Sequence, residues 1–96
     1  MEYIWDEQKY QSNLEKHGLD FVDIEEVLKN KILIKASPKN NEERYLMIGY
    51  FERGATKYPV SIVYTPRGKD TIRIISFRIA RKKEREIYKK IHNITI

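Results

Sequence analysis

Ninety-six residues hold enough apolar material for one core and not for two, so residues 1–96 read as a single domain. The chain is 34% charged and 41% hydrophobic, but its apolar residues fall in periodic blocks, which excludes a disordered polymer, and the lack of cysteine excludes disulfides and thiolate metal sites. The net charge is +5, no apolar run is long enough to cross a bilayer, and the acidic start is unlike a signal peptide, so the expectation is a soluble, unprocessed cytoplasmic protein with a surface for polyanions.

Tyr3 to Trp5 leaves room for a short first strand. Asp6 is a good helix N-cap and Gly18 a good C-terminal stop, which predicts a first helix from Glu7 to His17. Asp20 caps a second helix whose apolar stripe is Phe21, Ile24, Val27 and Leu28, ending near Asn30. The period then changes to two. Strands are predicted at Ile32–Ala36, Arg44–Phe51, Pro59–Thr65 and Thr71–Ile79, with a loop at Ser37–Asn41, a hairpin connection at Glu52–Lys57 and a turn at Pro66–Asp70. Arg81 to Ile91 reads as a final helix, and Asn93–Ile96 as a tail that either adds a strand or frays. The fold class expected is α+β: two N-terminal helices, a four-stranded antiparallel meander and a C-terminal helix, with one face of the sheet open to a ligand.

Charge is unevenly spread: residues 1–30 carry net −5, residues 31–66 net +3 and residues 67–96 net +7. A polyanion at the basic end is the functional reading, and two solvated surfaces of opposite sign the bland one. Strict alternation in the last strand puts Arg73, Ile75, Phe77 and Ile79 on one face and Ile72, Ile74, Ser76, Arg78 and Ala80 on the other. Three residues beyond Arg78, Arg81, Glu84, Arg85 and Tyr88 share one helix face, so guanidiniums, a carboxylate and a phenol could converge on a phosphate; a salt-bridged solvated helix has the same spacing. His17, in the last turn of the first helix, either acts as a general acid or bonds free carbonyls. Two isolated histidines with no acidic neighbour at ligand spacing suggest no metal, and no cofactor motif is present.

Taken together, Trp5-Asp6-Glu7 with Lys9, Asn13-Leu14-Glu15-Lys16-His17-Gly18 and Phe21, Glu43-Arg44 leading to Gly49, Tyr64, Arg67, and Arg73-Ile74-Ile75-Ser76 with Arg78, Ala80-Arg81, Glu84-Arg85 and Tyr88 resemble the BrnT family of toxins over nearly the whole chain. The resemblance implies a RelE-like, metal-independent endoribonuclease of a type II toxin–antitoxin system. Such a toxin blocks translation by cleaving RNA and is neutralised by a BrnA-type antitoxin, with a dimer open within the complex. It implies that Arg67, Arg73, Arg78, Glu84, Arg85 and Tyr88 belong to the site; the convergence expected at the end of the last strand then suggests Glu84 as base, Arg78 and Arg85 as phosphate clamps, Tyr88 or His17 as acid, and RNA contacts for Arg67, Arg73, Arg81 and Arg44. The alternative that the residues leave open is a non-catalytic basic nucleic-acid-binding or protein-interaction module.

Overall fold

The computed structural model describes residues 2–96. In chain order it contains β1 (Glu2–Trp5), α1 (Glu7–His17), a 3-10 turn (Phe21–Asp23) running into α2 (Ile24–Leu28), β2 (Leu33–Ala36), β3 (Tyr45–Arg53), β4 (Thr56–Pro66), β5 (Thr71–Ile79) and α3 (Lys82–His92). The strands form one sheet in the order β1-β5-β4-β3-β2, with β1 parallel to β5 and the other pairs antiparallel. The antiparallel meander of four strands forms as expected and so does the possible short first strand, as β1; its parallel pairing with β5 corrects the expected four-stranded antiparallel RelE-like sheet to a five-stranded mixed one. Returning beside β5 lets β1 cover half of an edge that would otherwise be bare.

Local chemistry sets the helix ends. Asp6 accepts from the backbone N–H groups of Gln8 and Lys9 at 2.8 and 3.2 Å, and Gly18 takes the left-handed conformation (φ 66°) that lets its N–H close on Leu14. Asp20 caps as expected, but it opens a 3-10 turn and a five-residue helix in place of one continuous helix. Asn30 ends this unit by donating to the carbonyls of Glu26 and Tyr50, which ties it to β3.

The sheet carries a layer on each face. On one, Phe21, Ile24 and Val27 meet Met47, Phe51, Val60, Ile62, Ile72, Ile74 and Phe77 in the main core. On the other, the buried Tyr88 of α3 packs on Leu46 and Ile48, joined by Ile94 and Ile96, so the C-terminal tail is neither a strand nor frayed but part of this second layer.

Strict alternation fails in β5. Val63 pairs with Ser76 and Tyr64 with Ile74, which leaves Ile75 as an extra residue, a bulge. Hence Ile74 and Phe77, three apart, both enter the main core. The residues between and around them, Arg73, Ser76 and Arg78, share the opposite face. The expected division of Arg73 and Arg78 onto different faces is corrected by that one extra residue.

Candidate functional site

On the second face α3 packs over Leu46 and Ile48 of β3 and reaches Ser61 of β4 and Arg78 of β5 through Glu84. The rest of that face is a cationic trough, built by register. Thr65 of β4 stands opposite Arg73 of β5, and the pairing of Tyr45 with Tyr64 puts Arg44 beside Thr65 on its other flank. At a strand spacing of about 4.8 Å, the two arginine backbones lie roughly 10 Å apart across a small residue. Thr65 is buried, its hydroxyl donating to the Glu43 carbonyl at 2.7 Å, so it forms a low floor between them. Arg67, in the turn closed by its N–H on the Thr71 carbonyl, lines the same hollow with Lys9 and Ile75.

A second hollow, lined by Ser12, Lys16, His17 and Ser76, shares Lys9 and Ile75 with the first. Volumes of about 180 and 260 Å³ are small and open for an enclosed metabolite, whose sites run from roughly 300 Å³ upward, and suit a polymer passing across them. α1 is fixed along this edge by Asn13, whose amide donates to the Phe77 carbonyl at 2.7 Å and accepts from the Phe77 N–H at 2.9 Å.

Positive charge is in excess here. Glu42 accepts from Arg44 Nε at 2.7 Å, and that bond, with the charges of Arg44, Arg67 and Lys9, holds its carboxyl below the usual range. Asp6 lies 3.8 Å from Arg73. These two carboxylates face five cations: Lys9, Lys16, Arg44, Arg67 and Arg73. Such a surface suits a phosphodiester backbone. Among the described residues no three His, Asp or Glu gather as metal ligands, and no helix is long and apolar enough to cross a membrane.

A family model described as ribonuclease toxin, BrnT, of type II toxin-antitoxin system matches residues 5–84. The chain belongs to the BrnT toxin family. It is also similar to the crystal structure of the Brucella abortus ribonuclease toxin, BrnT, at 36% identity and a TM-score of 0.61, over 85% of this chain and 99% of that one. No curated protein matches.

In this BrnT-family chain, Arg44, Arg67, Arg73 and His17 line the trough, while the other expected site residues lie elsewhere. Glu84 is enclosed: it accepts from both terminal nitrogens of Arg78 at 2.8 Å, from the Arg81 backbone N–H at 2.8 Å and from the Ser61 hydroxyl at 2.9 Å. The Arg78 guanidinium first, then the Arg81 N–H and the Ser61 hydroxyl, hold its carboxyl at about 2 against the opposing effect of burial. A carboxylate so occupied is a poor proton acceptor near neutral pH. Arg81 has no side-chain acceptor, so only the return half of a capping box forms at the start of α3.

Tyr88 is fully buried, its hydroxyl donating to the Lys31 carbonyl at 2.6 Å, and burial pushes its phenol up. Arg85 lines a different groove, with Lys82, Lys89 and Thr95. The expected convergence of Arg78, Glu84, Arg85 and Tyr88 on one phosphate is therefore corrected: the face that carries Arg81, Glu84, Arg85 and Tyr88 splits between a core contact, an ion-pair clasp with Arg78 of β5 and solvent. His92, with no partner visible in the sequence, meets the Ile32 carbonyl at 2.9 Å.

Lys9, Ser12, Asn13, Lys16, Glu42, Thr65, Ile75 and Ser76 line the trough but were given no site role from the sequence. One signal was there. Lys9, Ser12 and Lys16 follow i, i+3, i+7 and share a helix face, which makes a basic stripe inside a segment whose net charge of −5 conceals it.

Proposed function

We propose that this chain is an endoribonuclease toxin that cuts single-stranded RNA in the trough between α1 and the open half of the sheet. The observation that carries the reading is the row Arg44–Thr65–Arg73, two guanidiniums flanking a low floor, with Arg67 and His17 on the same trough. Family membership supports an RNA target and a protein antitoxin as partner.

The ribose 2′-hydroxyl attacks its own adjacent phosphodiester. His17 takes the proton from that hydroxyl, and the arginines neutralise the charge that builds on the phosphate oxygens. The bond to the 5′-oxygen breaks and Lys9 supplies the proton it needs, leaving a 2′,3′-cyclic phosphate and a 5′-hydroxyl. Ile75, pushed out by the bulge, gives a base an apolar surface. Arg78 and Glu84 act at one remove, holding α3 on the sheet. The reaction needs no metal, inhibits translation by destroying RNA, and is neutralised by a BrnA-type antitoxin in a complex that can hold two copies of each chain.

The test is cleavage of a synthetic RNA in EDTA, with one 2′-deoxyribose placed at the cut site. Cutting of the all-ribose strand only, lost in Arg73→Ala with folding intact, is the expected result. Binding of both strands with cleavage of neither would make the protein a nucleic-acid-binding module and sink the enzymatic reading.

A further inference from the structure

The sheet has an open edge beside an aromatic cleft. Among the described residues β1 pairs only with β5, and because the Glu2 N–H donates to the Asp70 carbonyl at 2.8 Å, the alternation of a parallel ladder turns the N–H and C=O of Tyr3 away from the sheet. Next to that edge lies a cleft of about 270 Å³ lined by Tyr3, Trp5, Phe21, Val22 and Glu25. Its rim is apolar and exposed, Val22 at 64%, as is Ile4 of β1 at 45%. The surroundings are acidic: residues 1–30 carry net −5, and Lys29 is already paired with Glu26 at 3.2 Å. The opposite edge strand, β2, contains Lys35 and lies just after Lys31, charges of the kind that discourage added strands.

We infer that β1 docks an extended, basic protein segment, which adds as a sixth strand, bonds to the Tyr3 peptide groups and puts an apolar side chain into the Trp5–Phe21–Val22 cleft. Three features converge on this occupant. Free strand-edge groups select an extended backbone; the cleft on one side of the edge selects an apolar residue at alternate positions; and Glu25 with Glu2 selects basic residues among them. Nucleic acid is repelled by the same carboxylates. None of the cleft residues lines the cationic trough, so the inference stands apart from the ribonuclease reading.

Trp5 is the only tryptophan and lines the cleft, so its fluorescence reports occupancy. The probe is a blocked heptapeptide alternating lysine and leucine, titrated into the full chain. Its controls are a glutamate–leucine peptide, a lysine–leucine peptide N-methylated at alternate amides, and a single-stranded RNA oligomer. A saturable change in Trp5 emission with the lysine peptide, weakened roughly tenfold by N-methylation and reduced in Glu25→Lys, is expected. The inference is overturned by no saturable change, by equal binding of the glutamate or N-methylated peptide, or by displacement of the peptide by the RNA.

Discussion

Asn13 stands in for a missing strand at Phe77. β1 ends at Trp5, opposite Ile74, and from there the edge of β5 is capped by the Asn13 amide, which donates to the Phe77 carbonyl and accepts from the Phe77 N–H. The bond pair sets where α1 runs, and with it where Lys9, Lys16 and His17 stand relative to the sheet.

Asn13→Ala leaves the buried N–H and carbonyl of Phe77 without partners, which costs about 1–3 kcal/mol. Asn13→Asp keeps the acceptor but turns a carboxylate oxygen toward the Phe77 carbonyl, and is expected to be the worse of the two. Urea denaturation measures the stability change. Cleavage is expected to fall in both variants even where most molecules are folded, because the α1 side of the trough loses its anchor.

The clasp between Arg78 and Glu84 makes a pH-dependent contribution. Glu84 has a folded-state pKa of about 2 against 4.5 ordinarily, so folding favours its ionised form. The stabilisation is complete above about 4.5 and is lost as pH falls through about 2. Glu84→Gln is expected to be less stable at pH 7 by about 3 kcal/mol, since it strands a largely buried guanidinium, and to show a shallower loss of stability on acidification. Thermal melts across the acid range check both. If Glu84 were the catalytic base, the folded fraction of Glu84→Gln would be inactive; residual cleavage in proportion to folding is the outcome expected of a clasp.

The extent to which this molecule could be read from its sequence tracks the range of the interactions. α1 was legible to the residue because Asp6 and Gly18 act within one helical turn. The pairing of β1 with β5 was not, since a parallel partner some seventy residues away leaves no mark on a four-residue segment. The bulge at Ile75 is equally silent: it is defined by the count of residues on β4, and it reverses which face Arg78 takes relative to Arg73. The individual arginines of the trough were found, but their row across three strands depends on the sheet register. The Arg81, Glu84, Arg85 and Tyr88 face was correct as helix geometry and misleading as chemistry, because spacing does not say which member points into the core.

Gly49 of β3 lies directly against Val27 of α2. A Cβ there would lie 2.9 Å from Val27 Cγ1 and 3.3 Å from Ile32 Cγ2, both on branched side chains with little freedom to move aside. Gly49→Ala is expected to destabilise by about 1–3 kcal/mol through overpacking, with a larger loss in Gly49→Val. Calorimetry should show a lower melting temperature; an unchanged one would mean that α2 shifts freely on β3.

Arg67 and Arg73 are proposed to meet phosphates, so each should behave as a released-counterion site. Arg67→Ala and Arg73→Ala are each expected to lower the slope of log affinity against log salt for single-stranded RNA by about 0.7. Stability should change little for the exposed Arg67, whose ordered contact is made by its backbone. Arg85→Ala, on a separate groove, serves as the contrast and should leave cleavage unchanged. A steeper salt slope in the trough variants than in the parent would place the RNA elsewhere.

His17 distinguishes proton transfer from simple charge attraction in the same trough. It lies on an exposed helix turn, so His17→Ala removes no packing and is expected to change the melting temperature by at most a degree or two. If its imidazole takes the 2′-hydroxyl proton, the cleavage rate falls by roughly 10²–10⁴ while RNA affinity changes little. Added imidazole then restores part of the rate by diffusing into the space the side chain vacates. If His17 only contributes positive charge, His17→Lys keeps the rate and imidazole does nothing. Single-turnover cleavage of the synthetic RNA, with and without imidazole, separates the two.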